Sequence, residues 1–399
     1  MVKDRKSASL LKITILSISL MLSSASAISV TLPLMKAQFE SVSSASIESL
    51  VTLPSFSMMV FILLSSFIIN KIGKRKTVLL GLSLALLGGI IPVFTTDFIV
   101  IYVSRFVLGA GIGIYNSLAV SLIGDFFEGE EQKKLMGFQT AFSTIGSSLA
   151  TFLAGIMVNY NWHYAYLVYL LAAPVIILFY FGFPKSETIT SSQGQKVKQK
   201  ENKQTVNLTG VFCFIMMYVF FIIVMTLFTK TGLAIAEINL ANQEFLGTAF
   251  TVAGLVGSIG ALCYGWVYKI FGKYTPVVAS LLCVLSFFGI PLSLNMLILT
   301  LLLVLANMST ALFIPYMYTL LLEGAPKGSE NLAVSLAMVA CNLGSFSSPY
   351  VLQILGNIFG NDSSIFSFTI CSFIFLGMAL VFLFKALKGD GGKNVMSFE

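Results

Sequence analysis

Charged side chains are scarce in this chain. Asp, Glu, Lys and Arg make up 10% of its 399 residues, against about 25% in a soluble domain. Hydrophobic residues reach 57% and mean hydropathy is +0.92. No water-soluble fold hides that much apolar surface, which excludes a cytosolic enzyme, a secreted module and a disordered chain. Histidine is almost missing, with His163 alone. There is no G-x-x-x-x-G-K-[ST] loop for nucleotide phosphates and no metal-ligand cluster. The longest polar stretch, 184–207, has 24 residues, too few for the nucleotide domain of an ATP-driven pump. No enzyme activity, cofactor or metal is therefore expected. The five cysteines (Cys213, Cys263, Cys283, Cys341 and Cys371) are odd in number and scattered through apolar stretches, so they imply no disulfide framework. The alternation of polar and apolar residues that marks a membrane β-barrel is also lacking.

What the chain does have is long apolar runs, each near the ~20 residues that a helix needs to cross the hydrocarbon core. Twelve are found: 10–34, 48–69, 77–94, 98–124, 135–159, 163–183, 208–229, 244–267, 275–292, 296–322, 332–356 and 364–384. The expected fold is an all-α integral membrane protein, its twelve transmembrane helices arranged as two pseudo-symmetric six-helix bundles. Basic residues set the orientation. With the N-terminus inside, 21 of the 24 Lys and Arg fall in inside segments, Lys36 and Lys230 fall outside, and Arg105 lies within a span. Both termini are then cytoplasmic, in a multi-pass protein of the cell membrane. The net charge of +7 is this topological bias, and no nucleic acid is expected as partner. Trp162 and Trp266 fall at the expected interfaces, the depth that amphipathic rings prefer. Lys3-Asp4-Arg5-Lys6 followed by an apolar run and Ser24-Ala25-Ser26-Ala27 imitates a secretory signal. Hydrophobicity continues to Leu34, however, and the segment is read as a retained span.

The polar stretch 184–207 separates 1–183 from 208–399 as a linker between two bundles. The halves repeat. Asn70-Lys71-Ile72-Gly73-Lys74-Arg75 follows the second span and Lys269-Ile270-Phe271-Gly272-Lys273-Tyr274 follows the eighth, the two glycines 199 residues apart. Asp125 ends the fourth span and Glu323 the tenth. Repeated halves with a site between them are the sequence mark of a transporter.

These features resemble the major facilitator superfamily over essentially the whole chain. At the positions of the family's loop motif G-x-x-x-D-R-x-G-R-R/K the chain has Ser66, Asn70, Lys71, Gly73, Lys74 and Arg75, with the first Gly and the Asp replaced, and in a second copy Gly265, Lys269, Ile270, Gly272 and Lys273, also without the acid. The resemblance implies that this turn latches the cytoplasmic side when the cavity faces outward, although Asn70 replaces the motif's acid. Arg105 to Gly113 resembles the family's R-x-x-x-G-x-G-x-G pattern in the fourth span, which implies a part in coupling and substrate handling as in efflux members. The G-P-x-x-G-G element of drug/proton antiporters is missing: the fifth span carries Gly146 and Gly155 but no proline. Proton coupling and export are likewise implications of the resemblance.

Candidate residues follow from polar groups inside spans. Arg105 is a charge within the hydrocarbon, costing at least ~2.5–3.5 kcal/mol near the centre. It reads either as inward-facing or as snorkelled and structural. Asn116, three helical turns on, shares its face. The same spacing joins Asn307 with Tyr318 and Asn342 with Gln353, and Tyr218 shares a side with Met225. The substrate-binding candidates are thus Arg105, Asn116, Tyr218, Asn307, Tyr318 and Asn342, with helix packing as the alternative for each. Ser19, Ser23 and Ser26 share a face of the first span. Pro54, Pro315 and Pro349 offer hinges. The gating candidates are Asn70, Lys71, Gly73, Arg75, Asp125, Lys269, Gly272 and Glu323. Asp125 is expected to pair with Lys71 or Arg75, and Glu323 with Lys269 or Lys273, in bridges that break when the cytoplasmic gate opens. No acid falls at mid-span, so Glu48, Asp125 and Glu244 remain as candidates to carry protons. The sequence reads as a secondary active transporter of a small organic solute, working by alternating access as a monomer in the bilayer, with proton-coupled export of an amphipathic compound favoured. Uptake or exchange of an organic anion at Arg105 is the alternative, and a lipid or glycolipid flippase the second.

Overall fold

The structure, a computed structural model, describes residues 5–184, 207–326 and 329–388. The expected linker lies outside the described residues except for its two end positions. Among the described residues there are helices and no strands. Eleven helical stretches are long and apolar enough to cross a membrane, but one, Gln243–Leu292, runs for 50 residues. It breaks at Gly272, whose φ is +50°, into Leu246–Phe271 and Thr275–Gly289. That gives twelve crossings. Gly73, in the matching turn, has φ of +80°. Both basic turns therefore reverse the chain through a backbone conformation that glycine alone adopts without steric cost, a local reason for the repeated Gly.

Helix starts are fixed by side-chain caps. Asp97 accepts from the N–H of Ile99 at 2.7 Å and of Val100 at 3.2 Å, opening the fourth span, Phe98–Phe126. Asn295 opens the tenth, Met296–Gly324, by accepting from Ile298 N–H at 2.9 Å. Glu237, at the end of the seventh span, Leu208–Glu237, accepts from the N–H groups of Ser364 and Ile365 and so caps the twelfth, Ser364–Lys388.

Two spans depart from regular α geometry. The first runs as Arg5–Ser17, then 3₁₀ turns over Ile18–Met21 and Ser24–Thr31, then Leu32–Gln38. The sixth begins with a 3₁₀ stretch, Trp162–Leu171, before Ala172–Gly182. Runs of this length are uncommon and often mark a hinge or a strained segment. Ser17, Ser24 and Thr31 each donate to the carbonyl three residues back, at 2.8, 2.8 and 2.7 Å, and such bonds compete with the α ladder.

The halves meet through the second and eleventh spans and through the fifth and eighth. Every interhalf contact described below lies in the part of the molecule remote from the two basic turns. We call that the opposite face and the end bearing the turns the basic face. On the fifth span, Gly129–Met157, and the eighth, Leu246–Phe271, Gly155 and Gly247 meet so closely that a Cβ on Gly155 would lie 2.7 Å from the Gly247 Cα. Thr251 donates to Ser148 O at 3.1 Å, and the Phe56 and Phe346 rings are 4.8 Å apart. Toward the basic face, Gly137 and Gly265 look into open space. Among the described residues the halves touch at one face, and these two glycines stand open toward the other.

Candidate functional site

Arg105 is fully buried, and its surroundings explain how a charge is held there. Pro54 lacks an N–H, so the Leu50 carbonyl has no helical partner, and Arg105 Nε donates to it at 2.8 Å. Nη1 donates to the Tyr169 hydroxyl at 2.7 Å, and Nη2 to the Ala25 carbonyl in the 3₁₀ part of the first span. Tyr169 in turn donates to Ser24 O at 3.3 Å and Ala25 O at 3.4 Å, and the guanidinium lies 5.4 Å from its ring centre. Arg105 therefore points inward and does not snorkel. It ties the first, second, fourth and sixth spans of one half together. In this conformation all three guanidinium nitrogens are engaged within that half.

The other expected ligands do not form one constellation. Asn116 lies against Met58, its Nδ2 3.7 Å from the thioether sulfur. Asn307 donates to Leu303 O on its own helix at 2.9 Å, and its Cβ fills the notch of Gly257. Tyr318 is half-buried. Two candidates adjoin the parting of the halves. Asn342, with its amide on Met338 O at 2.9 Å, sits one turn toward the basic face from Phe346 on the stripe that meets the second span. Tyr218 accepts from Ser347 of the eleventh span at 3.1 Å. In the other half the broken part of the first span places Ser23, an exposed hydroxyl. Ser23 and Ser143 lie 2.9 Å apart, and Ser147 donates to Ser23 O at 3.1 Å. Ser143 and Ser147 were not singled out from the sequence; their one-turn spacing on the fifth span is the signal that was there. These hydroxyls and amides thus lie on spans of both halves, each bonded within its own half.

At the opposite face sits a buried ion pair between the halves. Lys230 Nζ is 2.7 Å from Glu48 Oε1, with side chains 8% and 1% exposed. Glu48 belongs to the second span, Ser44–Ile72. Lys230 was expected outside the membrane, but the seventh helix continues past it to Glu237 and buries it. Nearby, the Tyr102 and Tyr350 hydroxyls of opposite halves lie 3.4 Å apart. The sequence signal was two lone opposite charges beside apolar runs on the same expected side.

The basic turns correct another expectation. Asp125 pairs with Lys74 at 2.6 Å, not with Lys71 or Arg75. Helix geometry explains it: Lys74 starts the third span, Lys74–Ile90, which packs along the fourth, whereas Arg75 donates to Tyr180 O at 2.6 Å and lies over the Tyr180 ring. Both partners of this pair lie in the same half. Asn70, Lys71, Lys269 and Glu323 are exposed, and among the described residues Glu323 forms no ion pair with Lys269 or Lys273. Lys12 and Glu131 form a further bridge within the same half. Glu244 is exposed in the turn Gln243–Phe245. The single histidine stacks on Trp162 at 3.6 Å and reaches Pro92 O at 2.7 Å, a packing role.

Among the described residues, two bundles of long apolar helices meet at one face, the architecture of a multi-pass membrane protein. The sequence matches the Major Facilitator Superfamily over residues 14–349, and the chain belongs to that family. An uncharacterized transporter of Rickettsia felis is 24% identical over 127 residues, 31% of each chain, so the match spans about a third of that relative. Solved structures of similar fold include the nucleoside transporter NupG (12% identity, 95% of this chain and 99% of that one, TM-score 0.73). The partially occluded, inward-open xylose transporter XylE from E. coli is another (14% identity, 98% and 100%, TM-score 0.71). A D-xylose-proton symporter is a third (15% identity, 94% and 97%, TM-score 0.67). At these identities the likeness is one of fold.

Proposed function

We propose that this transporter exports a small amphipathic organic solute in exchange for protons, with the basic face cytoplasmic and Glu48 as the proton-accepting group. The observation that carries the reading is the buried Glu48–Lys230 pair, which joins the two halves at the face that is closed. Protonating Glu48 cancels one charge and leaves Lys230 unpaired. Removing one partner of a buried pair costs about 3–5 kcal/mol, which is comparable with the ~5.5 kcal/mol that swings a two-state equilibrium from 1:99 to 99:1. A proton arriving at Glu48 thus favours opening of that face, and export follows when the solute enters the cleft from the basic side. Ser23, Ser143, Ser147, Tyr218 and Asn342 suit a solute that hydrogen-bonds through uncharged groups and presents an apolar body.

The test is accumulation of a fluorescent amphipathic dye in efflux-deficient cells expressing the chain, with and without a protonophore. Lower accumulation that the protonophore restores supports export on the proton gradient, and Glu48→Gln should abolish that difference. Equal accumulation with and without the chain would sink the proposal for such solutes.

A further inference from the structure

A cavity of about 200 Å³ lies between the first, fifth and sixth spans, away from the cleft. Its floor is Leu20 and Met21, where the first span runs as 3₁₀ helix, and its walls include Leu149, Val175 and Leu178. Leu149 and Pro174, at its rim, are exposed. The sixth span packs on the first, third and fifth, so this rim lies on the perimeter of its bundle, where a spanning helix meets the bilayer. The one polar side chain in the lining, Ser17, spends its hydroxyl proton on Thr14 O at 2.8 Å. Water needs two to four polar partners, and apolar cavities of about 150 Å³ stay dry and take apolar guests instead.

We propose that this crevice holds an acyl chain of a bilayer phospholipid, wedged against the 3₁₀ segment of the first span. The fifth span already presses on that segment: a Cβ on Gly146 would lie 2.0 Å from Leu20 O, so backbone meets backbone there. Beside this contact lies the cavity, and an acyl chain there gives Leu20 and Met21 a further apolar neighbour. The lipid thereby supports the stretch that leads into Ser23 at the cleft.

The experiment uses the full chain in phosphatidylethanolamine–phosphatidylglycerol vesicles containing phosphatidylethanolamine with a diazirine in its acyl chain. After illumination, adducts are mapped by peptide mass spectrometry. Leu149 and the 174–178 stretch should be labelled several-fold more than the surroundings of Leu285, an exposed apolar position on the ninth span. Val175→Phe, which fills the cavity, should remove most of that excess. Leu149→Phe, at the rim, should do the same where Val175→Phe fails to fold. Even labelling at all three places, or labelling that survives both substitutions, overturns the proposal. Displacement of the label by excess amphipathic dye would give the cavity to the transported solute and overturn it equally. None of these readouts depends on transport activity.

Discussion

At the scale of single residues, the decisive side chain is Arg105, and its chemistry follows from a proline in another span. Pro54 leaves the Leu50 carbonyl open, and the 3₁₀ turn leaves the Ala25 carbonyl to be bonded from outside its own helix; one guanidinium serves both. Arg105→Ala should orphan the buried Leu50 carbonyl, at about 1–3 kcal/mol, and leave the Ala25 carbonyl with only the longer bond from Tyr169. The expected outcome is a marked fall in the thermal unfolding midpoint of the purified protein. Arg105→Lys should recover only part of it, because an ammonium lacks the planar fork. Transport should then decline for all solutes in step with folded protein; a selective loss for anions at unchanged stability would restore Arg105 as a ligand. A charge inside a span was legible in the sequence, as was its inward-or-structural ambiguity. The partners were not: two are backbone carbonyls, which any sequence supplies, and the third is the hydroxyl of Tyr169, 64 residues away.

At the scale of elements, the fifth and eighth spans carry a symmetry that only the contacts make visible. Gly137 lies 18 residues from Gly155, and Gly265 lies 18 from Gly247. At about 3.6 residues per turn that is five turns, so each span shows both its glycines on one face. One pair touches at the opposite face and the other stands open at the basic face. Rocking the halves should exchange them. Cysteines placed at 137 and 265, in a background where the exposed Cys263 is replaced by serine, should cross-link when the basic face closes and not in the conformation described here. Gly155→Leu should wedge the opposite face apart and raise that cross-link. Cross-linking indifferent to Gly155→Leu would count against the exchange. The twelve runs, the basic glycine turns and the two halves could all be read from hydropathy, because lipid demands about 20 apolar residues per crossing. The 3₁₀ stretches could not: hydropathy does not distinguish the two helices, and the back-bonding serines of the first span have counterparts in regular α-helix at Ser49 and Ser104.

At the scale of the whole molecule, what matters is which bonds cross between the halves and which stay within one. Only crossing bonds change the balance of the two conformations. The sequence assigned the gate to Asp125 and the basic turns, but its partner Lys74 lies in the same half, so the bond moves as a body with that half. Asp125→Asn should therefore cost about 0–1 kcal/mol of stability, as part-exposed pairs do, and leave label accessibility at the basic face unchanged. Glu48 and Lys230 are the reverse case: buried, and in opposite halves. Glu48→Gln or Lys230→Met alone strands one partner in a dry contact and should open the opposite face, read as new accessibility of a label at Thr52, whose hydroxyl lies 3.4 Å from Phe346 O across the halves. The double substitution removes both charges, and an uncharged contact of similar bulk is often as stable as the pair it replaces. The double variant should then return toward the closed accessibility while losing its response to the proton gradient. If the two single effects simply add, the pair is not what holds that face, and closure rests instead on the glycine contact and the packed rings of Phe56 and Phe346.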